Sequence, residues 1–167
     1  MNYSRRFANR KKTTLTVLST IALLGVLFSP PIRAASSSDF YHFIVQGEIT
    51  ITGIRGTGPV AIIPDQIDGI PVTQIASGAF IEWPGLLSIQ IPASVEIIGE
   101  AAFGYGLWGY TSGLMKLDSI QVDPKNPFFS SMDGVLFNKE MTKLIRYPIS
   151  KPGETYPVPQ TVTAIAE

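Results

Sequence analysis

Ile75-Ala76-Ser77-Gly78-Ala79-Phe80 returns 23 residues later as Ile98-Gly99-Glu100-Ala101-Ala102-Phe103. Two further blocks repeat around this pair. Leu86-Leu87-Ser88-Ile89-Gln90-Ile91-Pro92 returns after 31 residues as Leu117-Asp118-Ser119-Ile120-Gln121-Val122-Asp123. Ile91-Pro92-Ala93-Ser94-Val95, followed by Ile98, returns after 67 residues as Val158-Pro159-Gln160-Thr161-Val162, followed by Ile165. Ile63-Pro64 opens an earlier, more divergent copy. Self-similarity at a spacing of 20–50 residues marks a repeat architecture.

Each block has a physical role. Leu-x-x-Ile-x-Ile is a short run of alternating apolar and β-branched positions, as a strand requires. The proline after it ends the strand, because it has no N–H for a continuing ladder. Ser-Val-x-x-Ile supplies a second short apolar stretch. Gly99 is expected to turn the chain through a positive φ. Ala-Phe sets a small residue beside a large one, so each coil places a ring where its neighbour leaves room. One coil cannot bury its own apolar face, but a stack buries a continuous core. The expectation is a mainly β, right-handed solenoid of short parallel strands, with few helices beyond single turns.

The run IDGIPVTQIASGAF…LLSIQIPASVEIIGEAAF, then NPFFSSMDGVLFN, LIRYP and VPQTVTAIAE, resembles the BspA-like leucine-rich repeat proteins of bacterial surfaces. The resemblance covers residues 46–167. It implies a secreted or surface-attached module acting in adhesion or protein binding, with no catalytic activity of its own. The chain departs from that pattern in two ways. The second unit carries extra residues, and the usual glycine after the isoleucine is Ala76 in the first unit and Ala166 in the last.

The segments flanking the repeats read as an export leader and as caps. Residues 1–34 have a basic stretch (Arg5, Arg6, Arg10, Lys11, Lys12), an apolar run from Leu15 to Phe28, and Ser29-Pro30-Pro31 before Ala34. That is the pattern of a secretory signal peptide, with cleavage expected after Ala34. The alternative is an uncleaved anchor. Its 14 apolar residues would reach only about 21 Å as a helix, short of a hydrocarbon core of about 30 Å. Residues 35–58 hold a polar link and a hairpin, Phe40–Ile44 and Gly47–Gly53, that caps the first coil. Residues 59–167 are the repeats. Asp133-Gly134 signals a tight primed turn, and residues 123–147 read as a hairpin inserted between coils, with Leu144-Ile145 returning to the stack. Glu167 falls in mid-unit, where another coil would be expected, so either the sequence is a fragment or the array ends unusually early.

Composition removes several functions. The 167 residues carry 13 basic and 13 acidic side chains and no cysteine. Disulfides, thiolate metal sites and thiol catalysis are therefore excluded. Six of the basic residues precede residue 35, which leaves seven basic and thirteen acidic side chains after the leader, a net charge of −6. Such a domain disfavours nucleic acid and anionic membranes as partners. His42, the single histidine, lies apart from the repeats and reads as a strand residue rather than a catalytic base. Asp65 and Asp68 lack the alternating spacing of a calcium loop and read as turn residues. Glu82, Glu96, Glu100 and Glu140 offer no pair singled out for glycoside cleavage. Gly104-Tyr105-Gly106-Leu107-Trp108-Gly109 lacks the glycine spacing of a dinucleotide turn. No cofactor or metal is expected.

The informative departure is the length of one loop. Phe80 is followed by Leu86 six residues on, whereas Phe103 is followed by Leu117 fourteen residues on. Insertions in repeats map to loops, often on a binding face. Tyr105, Trp108 and Tyr110 lie in this insertion, and Trp83 occupies the shorter loop one coil earlier. Aromatic rings of this kind concentrate binding energy. These four residues are the candidate ligand contacts, for an extracellular or cell-surface protein or for a glycan. The alternatives are that the rings fold back and shield the core, or that the chain is a structural spacer.

Overall fold

In a computed structural model, described over residues 37–55, 58–81, 83, 85–104 and 116–166, the alignment of the repeats in sequence is also their alignment in space. Strand β3 (Val60–Ile62), β6 (Ser88–Ile91) and β8 (Ser119–Val122) form a parallel sheet in the order β3-β6-β8. Ile89 sits beside Ile120 and Ile91 beside Val122, as the matched blocks require. A second parallel wall contains β2 (Glu48–Ile54), β5 (Ile70–Ile75) and β7 (Ile97–Ile98), with Ile75 beside Ile98. The Ala-Phe turns form the third side. Phe80 and Phe103 stack there with ring centroids 5.9 Å apart and planes within 5°. Phe80 N–H donates to the Ala102 carbonyl at 3.0 Å, which ties one turn to the next.

The core lies between these three walls. Ala61, Ile89 and Ile120 point inward from the first sheet, Ile49, Ile51, Val72 and Ile75 from the second, and all are fully buried. Strand β1 (Phe40–Val45) pairs antiparallel with β2 and completes the expected N-terminal cap. Its turn at Gln46-Gly47 has φ values of 52° and 82°, and Asp133-Gly134 has 49° and 75°. Both are the two-residue primed turns that right-twisted hairpins favour. A third such turn, Asp68-Gly69, joins the short β4 (Gln66–Ile67) to β5.

Three expectations need correction. The first concerns Gly99, which is not among the positive-φ residues. Its need is for space: a Cβ there would lie 2.3 Å from the Ser77 nitrogen and 2.7 Å from Ser77 Cα. Gly99 N–H donates to the Ile75 carbonyl at 2.8 Å, which draws the two turns together. This also accounts for Ala76 and Ala166. Ala76 N–H bonds Ile51 of β2, and Ala166 N–H bonds Leu144. Each alanine is thus stacked on an extended strand, whereas Gly99 is stacked on another turn.

The second concerns the insertion: the expected hairpin forms across Asp133-Gly134, and a third strand extends it into a meander. β9 (Phe129–Met132), β10 (Val135–Asn138) and β11 (Lys143–Arg146) are antiparallel neighbours, and β12 (Ala164–Ile165) joins β11 in parallel. The last matched block therefore pairs Ile165 with Leu144 and starts from a strand of the meander, as the first coil starts from β2.

The third correction is that the core is not continuous. The meander separates two clusters. Leu136, Phe129 and Ile145 pack on the coil core, while Val135, Phe137 and Leu144 form a second cluster with Met132, Tyr156 and Val162. β10 is the unbroken run VLF because both of its faces are covered.

The meander also closes the open edge of β8. Ile120 N–H donates to the Gly134 carbonyl at 2.8 Å and Val122 N–H to Ser131 Oγ at 3.0 Å. Asn126, fully buried, completes the join. Its Nδ2 donates to the Pro92 and Val95 carbonyls, and its Oδ1 accepts from the Phe128 and Phe129 amides, all at 2.8 Å.

Two stability predictions follow from these contacts. Gly99→Ala is expected to cost about 1–3 kcal/mol by overpacking, while Ala76→Gly costs less than about 1 kcal/mol; urea midpoints compare them, and equal losses would contradict the stacking account. Asn126→Ala is expected to cost about 2–4 kcal/mol, because it strands buried carbonyls and amides at once. A loss of only a few tenths in the same assay would show that those bonds are dispensable.

Candidate binding surfaces

The parallel sheet β3-β6-β8 presents a regular outer face. Strand alternation that turns Ile89 and Ile120 inward turns their neighbours outward. Ser88 pairs with Ser119, and Gln90 with Gln121. Gln121 is exposed, while Ser88, Gln90 and Ser119 are half-buried. Two grooves adjoin on this face. One, of about 310 Å³, is lined by Ile62, Asp65, Gln90, Gln121 and Pro124 among others. The other, of about 690 Å³, is lined by Asp118, Ser119, Gln121, Ser131, Asp133 and Lys151 among others.

The charge here is negative. Asp65, Asp118, Asp123 and Asp133 line the grooves, and Lys151 is the one cation among the described residues that does so. Lys151 Nζ lies 2.9 Å from Asp133 Oδ2, which largely neutralises the pair. Because Asp133 remains well exposed, that pair contributes little to stability.

Lys151 also approaches the ring of Tyr156, at 5.9 Å. The Tyr156 hydroxyl donates to the Met132 carbonyl at 3.2 Å, and its ring meets Tyr147 edge-on at 5.5 Å. Burial raises the Tyr156 phenol above its ordinary value of 10.0, with smaller contributions from Asp133 and Tyr147. Arg146 donates from Nη2 to the Phe103 carbonyl at 3.0 Å and to that of Gly104.

The predicted contacts fall in two places. Tyr105, Trp108 and Tyr110 lie outside the described residues, as do residues 1–34, Glu82 and Glu167. Trp83 is described and is only 4% exposed, packed in the coil core as a shielding ring. It also lines a cavity of about 470 Å³ with Tyr41, Thr52, Ile54 and Ile81. Trp83 Nε1 and Ser94 Oγ are, among the described residues, buried polar atoms with no hydrogen-bond partner. His42 is exposed, and its Nδ1–H reaches only the Phe40 carbonyl, at 3.3 Å. Among the described residues no three His, Asp or Glu side chains cluster to hold a metal ion, and no helix is long and apolar enough to cross a membrane.

Gln90 and Gln121 were passed over in the sequence, although the signal was present. The repeated Ser-Ile-Gln preserves the outward residues together with the inward one. Tyr41 and Arg55, beside the cavity, carry no repeat signal.

The raised phenol sets a pH dependence. Stability from neutral Tyr156 is fully present below pH about 10 and is lost as pH rises through the higher folded value. Urea midpoints measured across the alkaline range are expected to fall more steeply for the native chain than for Tyr156→Phe. Parallel curves would remove Tyr156 from the account.

No family model and no curated protein matches the chain. Among solved structures it is similar to a leucine rich repeat protein of T. pallidum, with 27% identity over 56% of this chain and 41% of that one and a TM-score of 0.44. It is similar to the pneumococcal vaccine antigen PcpA, with 23% identity, coverage of 67% and 31%, and a TM-score of 0.42. It is also similar to a leucine-rich repeat protein from Eubacterium ventriosum, with 15% identity, coverage of 72% and 51%, and a TM-score of 0.43. The chain spans between about a third and a half of the length of each. Its own strand register and stacked turns make it a short, β-rich solenoid of the leucine-rich-repeat type, similar to these bacterial proteins.

Proposed function

We propose that the chain is a non-catalytic binding module of the BspA-like kind, exported by residues 1–34 and acting outside the cell on a protein partner. The observation that carries this reading is the outer face of β3-β6-β8. It is a rigid, in-register surface with Ser88, Ser119, Gln90 and Gln121 in columns over a fully buried isoleucine layer. Hydroxyls and amides on a fixed frame satisfy backbone groups of a bound polypeptide without first being ordered. The aspartates along the grooves favour a partner segment rich in Lys or Arg. Tyr105, Trp108 and Tyr110 are further proposed contacts, supported by their place in the lengthened loop. The leader reading is supported by its charge and apolar pattern.

The test is binding to a panel of immobilised extracellular matrix proteins. Binding is expected to weaken as salt rises, because screening acts on the aspartates. Gln90→Arg with Gln121→Arg is expected to weaken it at least about tenfold, by like-charge repulsion at the rim. Glu96→Lys, on the other wall, is expected to leave it unchanged. Failure to bind any member of the panel, or insensitivity to the glutamine pair, would rule against this face.

A further inference from the structure

The sheet order ends at β1, which pairs with β2 along one edge and has no strand on the other among the described residues. An open edge offers N–H and C=O groups to an approaching strand, so proteins keep such edges short, charged or broken by proline. The other strands at sheet ends are short: β3, β4, β7, β8, β9 and β12 have two to four residues each. β1 has six, Phe-Tyr-His-Phe-Ile-Val, with no Lys, Arg, Asp, Glu or Pro among them. Phe40 turns into the core, but Tyr41, Phe43, Ile44 and Val45 are 48–54% exposed. His42 is exposed as well. Caps of stacked repeats are ordinarily polar on the outside, whereas this one is apolar.

An open backbone edge fixes the class of occupant, because a strand is what completes its ladder. The residues of β1 then favour a second copy of itself. A two-fold axis normal to the sheet at Phe43 lays Tyr41 of one copy opposite Val45 of the other. It also sets His42 opposite Ile44, and Phe43 opposite its own counterpart. Every exposed residue of the strand is paired in that register. Aromatic–aromatic and aromatic–β-branched pairs of this kind support a sheet, and no two like charges oppose. Moving the axis by one residue brings either the 3-10 turn Ser37–Asp39 or the positive-φ pair Gln46-Gly47 against the strand. We infer that two copies of this chain join edge to edge through β1, antiparallel about Phe43, so that their sheets run on as one. The apolar area is modest. Half of four side chains of about 150–250 Å² each comes to roughly 400 Å² per copy, against about 800 Å² per partner in a standard stable interface. The pair is therefore weak and reversible, and the net charge of −6 that each copy carries after the leader opposes it. β1 shares no residue with the face of β3-β6-β8, so the two readings stand or fall separately.

Sedimentation velocity between about 10 µM and about 1 mM brackets the expected dimer Kd, on the order of 0.1 mM. Raising the salt is expected to strengthen the dimer, because screening relieves repulsion between two negative copies. Binding to a basic partner has the opposite salt dependence. Phe43→Lys, at an exposed position, sets two cations at the axis and is expected to weaken the dimer at least about tenfold, with an unchanged circular dichroism spectrum. The chain has no cysteine, so Phe43→Cys reports the register. Directly opposite residues have Cα atoms about 4.5–5.5 Å apart, within disulfide reach. Mild oxidation is therefore expected to link Phe43→Cys into a covalent dimer. Glu140→Cys, exposed elsewhere on the chain, is expected to remain unlinked. Monomers throughout the concentration range would leave the edge to a strand of another protein and overturn the inference. So would association that survives Phe43→Lys, or equal cross-linking of the two cysteine variants.

Discussion

Contact between one coil and the next is the interaction on which this molecule depends. A single turn of the chain offers only a few apolar side chains and no closed interior. Two turns in register bury Ile89 against Ile120 and Phe80 against Phe103, and they share backbone hydrogen bonds. The tightest point is Gly99 over Ser77, where any side chain on Gly99 would strike backbone. Register, once set there, decides which residues of every strand face inward and which face solvent. The outer columns of serine and glutamine are thus a consequence of the same stacking that builds the core.

A stack of this kind has ends, and ends are dangerous because they leave strand edges unpaired. The chain meets the problem twice with the same device. β1 and β2 close the first coil, and the meander of β9, β10 and β11 covers the edge of β8. The meander does more than cap. Its two faces serve two cores, and β11 provides the strand on which β12 begins a new parallel pair. Asn126 shows the cost of the junction. Counted on from the Ile91–Val122 pair, it occupies the place that Val95 holds one coil earlier. An amide replaces the valine because the carbonyls of Pro92 and Val95 need donors once the regular turn is interrupted.

The described surface divides by chemistry. The parallel sheet offers polar side chains in register beside several aspartates. The cavity beside the cap is lined by Tyr41, Ile54, Ile81 and Trp83. His42 stands beside the Phe40 carbonyl.

The residues by themselves determined the repeat, its strands, the capping hairpin and the inward set, because a period shared by apolar side chains leaves few ways to exclude water. Asp133-Gly134 likewise declared its turn, since few dipeptides accept two positive φ values. What only the tertiary structure decided was whatever depends on the neighbour in space. Gly99 and Ala76 occupy matched positions in the repeat, and nothing local says that one rests on a turn and the other on a strand. Trp83, a loop aromatic by its place in the repeat, is buried in the coil core. The meander's double face, and the split of one expected core into two, arise from contacts between segments far apart in the chain. Local periodicity records how much a residue must be buried, but not by which partner.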